Sequence, residues 1–483
     1  MIIEKFSNII LREHWAWCSL DQIAELINGD RGKNYPSRRH YISDGVPFIS
    51  AGNISCGKLN DLNYISEERY ELLNSGKLEE GDIIYCIRGT LGKAAIFTKL
   101  EKGAISSSLV ILRLSQKINR RYVFYYMQSP FGGHLIEHYD NGTAQPNLAA
   151  GSVAKYNIPL PPLPEQRAIV AKIEQLFSEL DNGIANLRVA KEKLDLYREA
   201  VLEKAFAGEL TKKWSDQNAR IAFEPNGESQ KTDGSDQHDA DLQLKALPIG
   251  WNWTKLGQVT EVNPSLQGKS DIDPDLEVQF IPMKLVDEVI NNIHLEETRL
   301  FAEVQKRSYT YFAEGDVLFA KVTPCMENGK IAVARNLKNG IGYGSSEFHV
   351  FRCSPRISSQ YLFYFLVQQR FRQDAMHAMT GAVGLRRVPK KYLEDYAIAL
   401  PPILEQMQIV QEIDSRLSVC DNIIASIEHG LEKAEALRQS ILQKAFGGKL
   451  LTKEELDVCR KQPDWEPADK LLERIKKQRN EQV

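Results

Sequence analysis

The chain has 483 residues, 43% of them apolar and 26% charged. This is an ordinary globular balance, and it excludes a wholly disordered, collagenous or small disulfide-stapled protein. At about 100–200 residues per domain the length allows roughly two to four domains, each with an ample core. Lys plus Arg total 61 against 64 Asp plus Glu, a net charge of −3, so a globally basic DNA coat is excluded while a local basic face is not.

The N-terminal stretch MIIEKFSNIILREHW carries Glu4, Lys5, Arg12 and Glu13 and has no signal-peptide apolar region. No apolar run reaches the roughly 18–20 residues needed to cross a bilayer, so a soluble, intracellular protein without a membrane partner is expected. Cys18, Cys56, Cys86, Cys325, Cys353, Cys420 and Cys459 form no C-x-x-C pair. Zinc-ribbon and redox spacings therefore fail, and the thiols fit a reduced, cytoplasmic protein.

Residues 1–160 read as a mixed α/β domain. Gly81–Ile87 is β-branched and bounded by glycine, which predicts a strand. Tyr122–Met127 is aromatic-rich and predicts a helix. The segment 161–210 then predicts one long helix from about 164 to 207. Pro164 stands where its missing N–H is harmless, Glu165 lies at the positive end of the dipole, and Gly208 is a natural stop. Ile173, Leu180, Leu187, Leu194 and Val201 recur every seven residues, with Phe177 and Ile184 between them, as in a coiled-coil seam. Residues 211–247 are polar, only about a quarter apolar, and read as a flexible linker.

Residues 248–400 read as a second mixed domain, with a strand at Val317–Val322 and a helix at Tyr361–Arg372. The segment 401–450 repeats the long helix, with Ile413, Cys420, Ile427, Ala434 and Ile441 as its seam and Gly447-Gly448 as its stop. The tail 451–483 ends in KLLERIKKQRNEQV, expected to be a charged helix on the surface.

The two halves are copies. PPLPEQRAIV…VLEKAFAGEL at 161–210 aligns with PPILEQMQIV…ILQKAFGGKL at 401–450, an offset of 240 with no gap. About 21 of the 50 positions are identical where chance at ordinary residue usage gives about three. Trp15-Ala16-Trp17 echoes Trp251-Asn252-Trp253, Gly81-Asp82 echoes Gly315-Asp316, and Ser107-Ser108 echoes Ser345-Ser346. A period this long is a duplication rather than a solenoid. Neither apolar stripe can stand in water alone, and the simplest burial is against the other copy. The expected fold is thus mixed α/β (α+β): two globular domains joined by two long antiparallel helices in a coiled coil, with an internal pseudo-twofold repeat. Ile173, Leu180, Leu187, Leu194, Val201, Ile413, Ile427 and Ile441 are the expected pairing residues.

Catalytic constellations are missing. Gly268-Lys269-Ser270 lacks the first glycine of a phosphate loop, and Gly89-x-x-Gly92-Lys93 ends in Ala94. The nine histidines show no metal-ligand spacing. Asn263-Pro264-Ser265 is only a turn, and Asp464 with Glu466 does not make a nuclease cluster. No metal or cofactor is expected, and a binding or assembly role is.

Basic and amide residues gather at loop-like places. Arg31, Lys33, Arg38 and Arg39 interleave with Tyr35 and Tyr41. Arg88 and Lys93 flank a glycine turn, and Thr143, Gln145 and Asn147 follow Gly142. In the second half stand Lys321, Lys330, Arg370, Arg372, Arg386, Arg387, Lys390 and Lys391. Lys and Arg neutralise phosphates, and Arg, Gln and Asn read guanine and adenine edges with two bonds. The same offset of 240 sets Gln145-Pro146-Asn147 opposite Leu385-Arg386-Arg387, so one loop position carries different readers in the two halves.

These residues resemble the specificity subunit of type I restriction–modification systems. PLPPLPEQRAIVAKIE…VLEKAFAGELT and ALPPILEQMQIVQEID…ILQKAFGGKLL are similar to that family's two helical regions. GDVLFAKVTPCMENGKIAVA, GYGSSEFHVFR and GAVGLRRVPKKYL are similar to a target-recognition-domain pattern, and GDIIYCIRGTLGKAAI with NGTAQPNL resembles another variant. The long polar linker is a departure. The resemblance implies that 1–160 and 248–400 are target-recognition domains, each reading one half of a bipartite, asymmetric site in double-stranded DNA. The helices would set the spacing and dock two methyltransferase subunits, and ATP-driven restriction subunits would join outside. This chain would be non-catalytic. A coiled-coil scaffold that reads no DNA is the alternative, and an enzyme with an unrecognised site is a third reading.

Overall fold

The computed structural model describes residues 11–98, 100–140, 142, 146–218, 247–288, 292–306, 308–382 and 385–482. The chain divides into two compact units, Met1–Leu187 with Glu428–Val483, and Arg188–Ile427. Among the described residues no helix is long and apolar enough to cross a membrane.

In the first unit a four-stranded antiparallel sheet has the order Ala24–Asn28, Leu109–Leu114, Ile83–Cys86, Ala94–Ile96. Side chains alternate across a strand, and here both faces are buried. Ile83 and Tyr85 pack with the helix residues Tyr122, Val123 and Tyr126, while Ile84 and Cys86 pack with Ile49, Ile54 and Ile105. That is why this strand reads as a continuous apolar run. A second sheet joins Asn63–Ile65, Val46–Ile49 and Ala104–Ile105. Ala16–Ser19 pairs antiparallel with Asn157–Leu160. Helices Arg120–Met127 and Pro130–Tyr139 complete the domain.

The second unit repeats this plan. Its four-stranded sheet runs Thr260–Val262, Phe348–Cys353, Val317–Ala320, Ile331–Val333. A four-stranded sheet of Thr298–Leu300, Glu277–Ile281, Ile341–Gly344 and Thr310–Ala313 takes the place of the three-stranded one. Asn252–Lys255 pairs with Ala397–Leu400. The expected helix Tyr361–Arg372 is corrected to two, Ser359–Val367 and Gln369–His377. The extended ψ of 136° at Gln368 breaks it, and the turn lets Phe371 reach Phe365 and Phe319.

Two 44-residue helices, Leu163–Phe206 and Ile403–Phe446, carry the shared segments. Each is about 66 Å long at 1.5 Å per residue. Gly208 and Gly448, with φ of 75° and 69°, turn the chain out of each helix. Their first turns explain the repeated Glu-Gln. Glu165 and Gln166 are buried, as are Glu405 and Gln406. Glu165 accepts the Trp15 indole N–H at 2.8 Å, and Glu405 accepts that of Trp251 at 3.0 Å. The Gln166 side chain accepts the Asn119 N–H and donates to the Pro161 carbonyl, both at 2.9 Å. Gln406 does the same for Ser358 and Pro401, at 2.8 and 2.9 Å. A buried carboxylate or amide is costly unless bonded, so these contacts lock each helix to its own domain.

Within the first unit the start of the Leu163–Phe206 helix lies with the end of the Ile403–Phe446 helix. Ile169 and Ile173 share a core with Ile441, Leu442 and Phe446, and Phe446 meets Tyr122 and Tyr126 edge-on at 5.2 Å. Asp181 pairs with Arg438. Within the second unit the roles exchange. Val201, Leu202 and Ala205 pack with Ile409 and Ile413, Phe206 lies 5.0 Å from Tyr361, and Arg198 pairs with Asp421 at 2.6 Å. The two ion pairs use equivalent positions of the repeat, and both fit antiparallel helices. Ile173, Val201, Ile413, Ile427 and Ile441 are buried, whereas Leu180, Leu187 and Leu194 are half-buried.

Two segments differ from expectation. Residues 211–218, taken as the start of a linker, include a helix at Lys212–Asn218 whose Thr211 and Ser215 hydroxyls donate to Glu405; residues 219–246 lie outside the described residues. The tail is not a solvated surface helix. It forms Lys453–Arg460 and Ala468–Gln482 and buries Leu471 and Ile475 in the first unit's core. Arg479 donates to the Ala24 carbonyl at 2.7 Å, and Asp464 takes both Arg167 N–H groups at 2.7 and 2.9 Å.

Replacing Gln166 by Leu leaves the Asn119 N–H and the Pro161 carbonyl buried without partners. Urea unfolding of the variant should show a loss of about 2 kcal/mol, the usual cost of such orphaned groups; undiminished stability would mean that these bonds do not anchor the helix.

Candidate nucleic-acid interface

In the first unit the turn between strands Ile83–Cys86 and Ala94–Ile96 carries Arg88, Gly89 and Lys93. Gly89 and Gly92 take φ of 82° and 80°, a left-handed turn suited to glycine. This turn meets a loop some sixty residues away. Arg88 and Asn147 form a β-bridge, and the Arg88 Nε donates to the Asn147 side-chain oxygen at 3.1 Å. Leu148 N–H donates to the Ile87 carbonyl at 2.8 Å. Asp140 accepts the Gly142 and Asn147 N–H groups, each at 2.9 Å. Those two bonds hold the Asp140 carboxyl below its ordinary pKa. Arg88 is exposed and Lys93 half-exposed. Thr143 and Gln145 lie outside the described residues.

The second unit builds the same junction with other side chains. Val322 bridges to Arg387, and Val388 N–H donates to the Lys321 carbonyl at 2.9 Å. Arg387 and Thr380 exchange backbone bonds at 2.9 and 3.0 Å. His349, buried beneath, bonds through Nε2 to the Val388 carbonyl at 2.8 Å and through Nδ1 to Asn263 at 3.0 Å. Burial holds the His349 pKa down, so the imidazole stays neutral near pH 7. Arg387 donates its Nε and Nη2 to the two oxygens of Glu347, at 2.8 and 2.7 Å. Burial lowers the Lys321 pKa, with Glu347 opposing and Arg387 reinforcing the shift.

The remaining expected residues sit elsewhere. Arg31 and Lys33 are exposed on the loop after Ala24–Asn28, a loop that Asp30 braces by accepting from Gly32 and Asn74. Arg38 and Arg39 are exposed on the turn Arg38–His40. Tyr35 and Tyr41 do not interleave with them as free stacking faces; both pack against Phe48, at 5.8 and 6.1 Å. Lys330 donates to the Val286 carbonyl at 3.0 Å. Lys390 pairs with Glu394 at 3.3 Å, and Arg386 is exposed beside Arg387. Arg372 braces the junction from behind by donating to the Glu327 carbonyl at 2.7 Å.

Sequence reasoning missed Asp140, Glu347 and His349. The serine echo was the available signal, one residue out of register: the structure sets Ser106-Ser107, rather than Ser107-Ser108, opposite Ser345-Ser346 at the strand edge beneath each junction. The Ser108 carbonyl accepts from Ile87 at 3.0 Å and that of Glu347 accepts from Lys321 at 2.9 Å, so Ser108 and Glu347 are equivalent positions. Among the described residues no group of three or more His, Cys, Asp or Glu is placed to hold a metal ion.

One domain plan used twice, with different polar side chains on the same paired loops, defines a duplicated binding protein. The model of the type I restriction modification DNA specificity domain matches residues 12–187 and again 248–435, and the chain belongs to this family. It is 31% identical over 376 residues to the EcoAI specificity subunit of Escherichia coli, covering 66% of this chain and 62% of that one. It is 24% identical over 474 residues to the EcoKI specificity subunit of Escherichia coli strain K12, covering 97% and 96%. The match to the EcoAI protein thus spans just over three fifths of that relative's length. The HsdS subunit of Thermoanaerobacter tengcongensis shares the fold at a TM-score of 0.54 and 20% identity, over 92% of this chain and 100% of that one. A chain solved in work on assembly and conformational transition of the type I R-M system shares it at 0.65 and 19%, over 91% and 100%.

The Glu347–Arg387 pair has a pH signature. Arg387, Lys321 and His349 hold the Glu347 carboxyl below its ordinary pKa, the Arg387 hydrogen bonds foremost. The pair is therefore complete above the usual glutamate value of about 4.3 and is lost as pH falls through the depressed one. NMR titration of the Glu347 carboxyl carbon should report that midpoint together with release of the Arg387 Nε–H signal; a midpoint at or above the ordinary value would contradict the pairing.

Proposed function

We propose that this chain is the DNA-reading, non-catalytic subunit of a type I restriction–modification complex in the cytoplasm. Each domain reads one half of a bipartite, asymmetric site in double-stranded DNA. The two long helices set the distance between the halves and dock two methyltransferase subunits, with ATP-dependent restriction subunits joining them. Membership of the specificity family supports this assignment. The observation that carries the two-part reading is the pair of equivalent junctions. A single backbone arrangement presents Arg88 with Asn147 in one unit, and Val322 with Arg387 in the other. Arg to guanine and Asn to adenine are the major-groove pairings such side chains favour. Inert loops would give no reason to keep the scaffold and change the side chains. Arg31, Lys33, Arg38, Arg39, Lys93, Lys330, Arg386 and Lys390 supply phosphate contacts or further base contacts, as do Thr143 and Gln145 beside Asn147.

Methylated-base sequencing of DNA from cells that co-express the chain with its cognate methyltransferase should reveal a two-part motif with a fixed gap. Cells with the methyltransferase alone should lack it. Exchanging residues 1–160 for another such domain should change one half of the motif only, whereas a change in both halves would defeat the modular reading. A complex that co-purifies yet methylates no new motif would favour the scaffold alternative.

A further inference from the structure

We propose that Glu347 is a positioning residue that holds the Arg387 guanidinium edge-on for a guanine in the half-site read by the second domain. This rests on the DNA-reading function above. Arginine presents five N–H groups in a planar fork. The Nε and one Nη2 hydrogen are taken by the two oxygens of Glu347, at 2.8 and 2.7 Å. The second Nη2 hydrogen and an Nη1 hydrogen then point together from the opposite edge. That edge matches the O6 and N7 acceptors of guanine in the major groove. Nη1 also donates one hydrogen to the Leu385 carbonyl at 3.4 Å, a long bond that leaves its other hydrogen for a base.

The backbone beneath is fixed. Arg387 bonds to Thr380 in both directions, and Val388 is held by Lys321 on one side and His349 on the other. With the main chain pinned and the side chain clamped, little rotamer freedom remains to be lost on binding, which is the benefit of a preorganised contact. The other half of the chain supplies a comparison. At the positions equivalent to Glu347 and Arg387 it carries Ser108 and Asn147, so the carboxylate accompanies the arginine rather than the fold. There Arg88 is likewise held by its Nε, through the Asn147 oxygen at 3.1 Å. Arg387 is 45% exposed and Glu347 27%. A two-bond pair at this exposure can add modestly to stability, so a structural role is separated from a positioning one by whether Tm falls along with affinity.

The test uses the full chain in complex with its methyltransferase and DNA carrying the motif found by methylated-base sequencing. Glu347→Gln breaks the clamp, because its amide NH2 faces guanidinium N–H groups. Cognate binding should weaken about tenfold, the scale of one good two-bond base contact, while Tm and the salt slope stay unchanged. Substituting 7-deazaguanine at each guanine of that half-site should find one position where wild type loses affinity and Glu347→Gln loses little more. Arg387→Lys should imitate Glu347→Gln at that position. Four outcomes overturn the proposal: no guanine in that half-site, equal 7-deazaguanine losses in wild type and variant, weakening spread evenly over unrelated sequences, or weakening that follows a fall in Tm. A wild-type complex without sequence preference overturns the underlying DNA reading; a wild-type preference that Glu347→Gln retains overturns this inference alone.

Discussion

Each long helix begins with a buried carboxylate and a buried amide that must be satisfied, and the architecture rests on how they are. Glu165 and Glu405 bond to Trp15 and Trp251, while Gln166 and Gln406 cap the neighbouring helices at Asn119 and Ser358. An unbonded carboxylate in these positions would cost several kcal/mol. These bonds therefore tie each domain to its own helix. The strands that follow these tryptophans, Ala16–Ser19 and Asn252–Lys255, are closed in turn by the strand leading into each helix, Asn157–Leu160 in one unit and Ala397–Leu400 in the other. A repeated Pro-Pro-x-x-Glu-Gln is the visible trace of this joint.

From that joint outward the two units share a core plan and differ most at the rim. The main four-stranded sheet keeps its strand order, and the pairs Asp82–Arg113 and Asp316–Arg352 recur at 2.8 and 2.7 Å. At the rim the backbone bridges recur while the side chains do not. Arginine held by an asparagine in one unit becomes arginine held by a glutamate in the other. Core positions answer to packing density, which tolerates few alternatives. Rim loops answer to a partner, and a rigid scaffold beneath lets them vary.

The closing elements differ as well. The first unit is finished by Lys453–Arg460 and Ala468–Gln482, with Cys459 and Leu471 buried. The second has the shorter helix Lys212–Asn218 at the equivalent place. Composition misjudged both segments, each for its own reason. The tail's charge hides an apolar stripe of Leu471 and Ile475 that only a helix of the right phase brings together, and the polar 211–218 stretch is held by hydroxyls rather than by apolar burial.

The duplication, the two long helices and their stops at Gly208 and Gly448, the strands near Ile83 and Val317, and the lack of familiar catalytic spacing were all legible in the chain alone. These are local or periodic signals, and identity at a constant offset needs no structure to be seen. The meeting of Arg88 with Asn147, the clamp of Glu347 on Arg387, the packing of Tyr35 and Tyr41 against Phe48, and the break of the aromatic helix at Gln368 emerge only on folding. Hydrogen-bond partners separated by forty or sixty residues leave no mark in spacing. Whether a charged residue faces a partner or water depends on which strands lie side by side, and that depends on the whole chain folding.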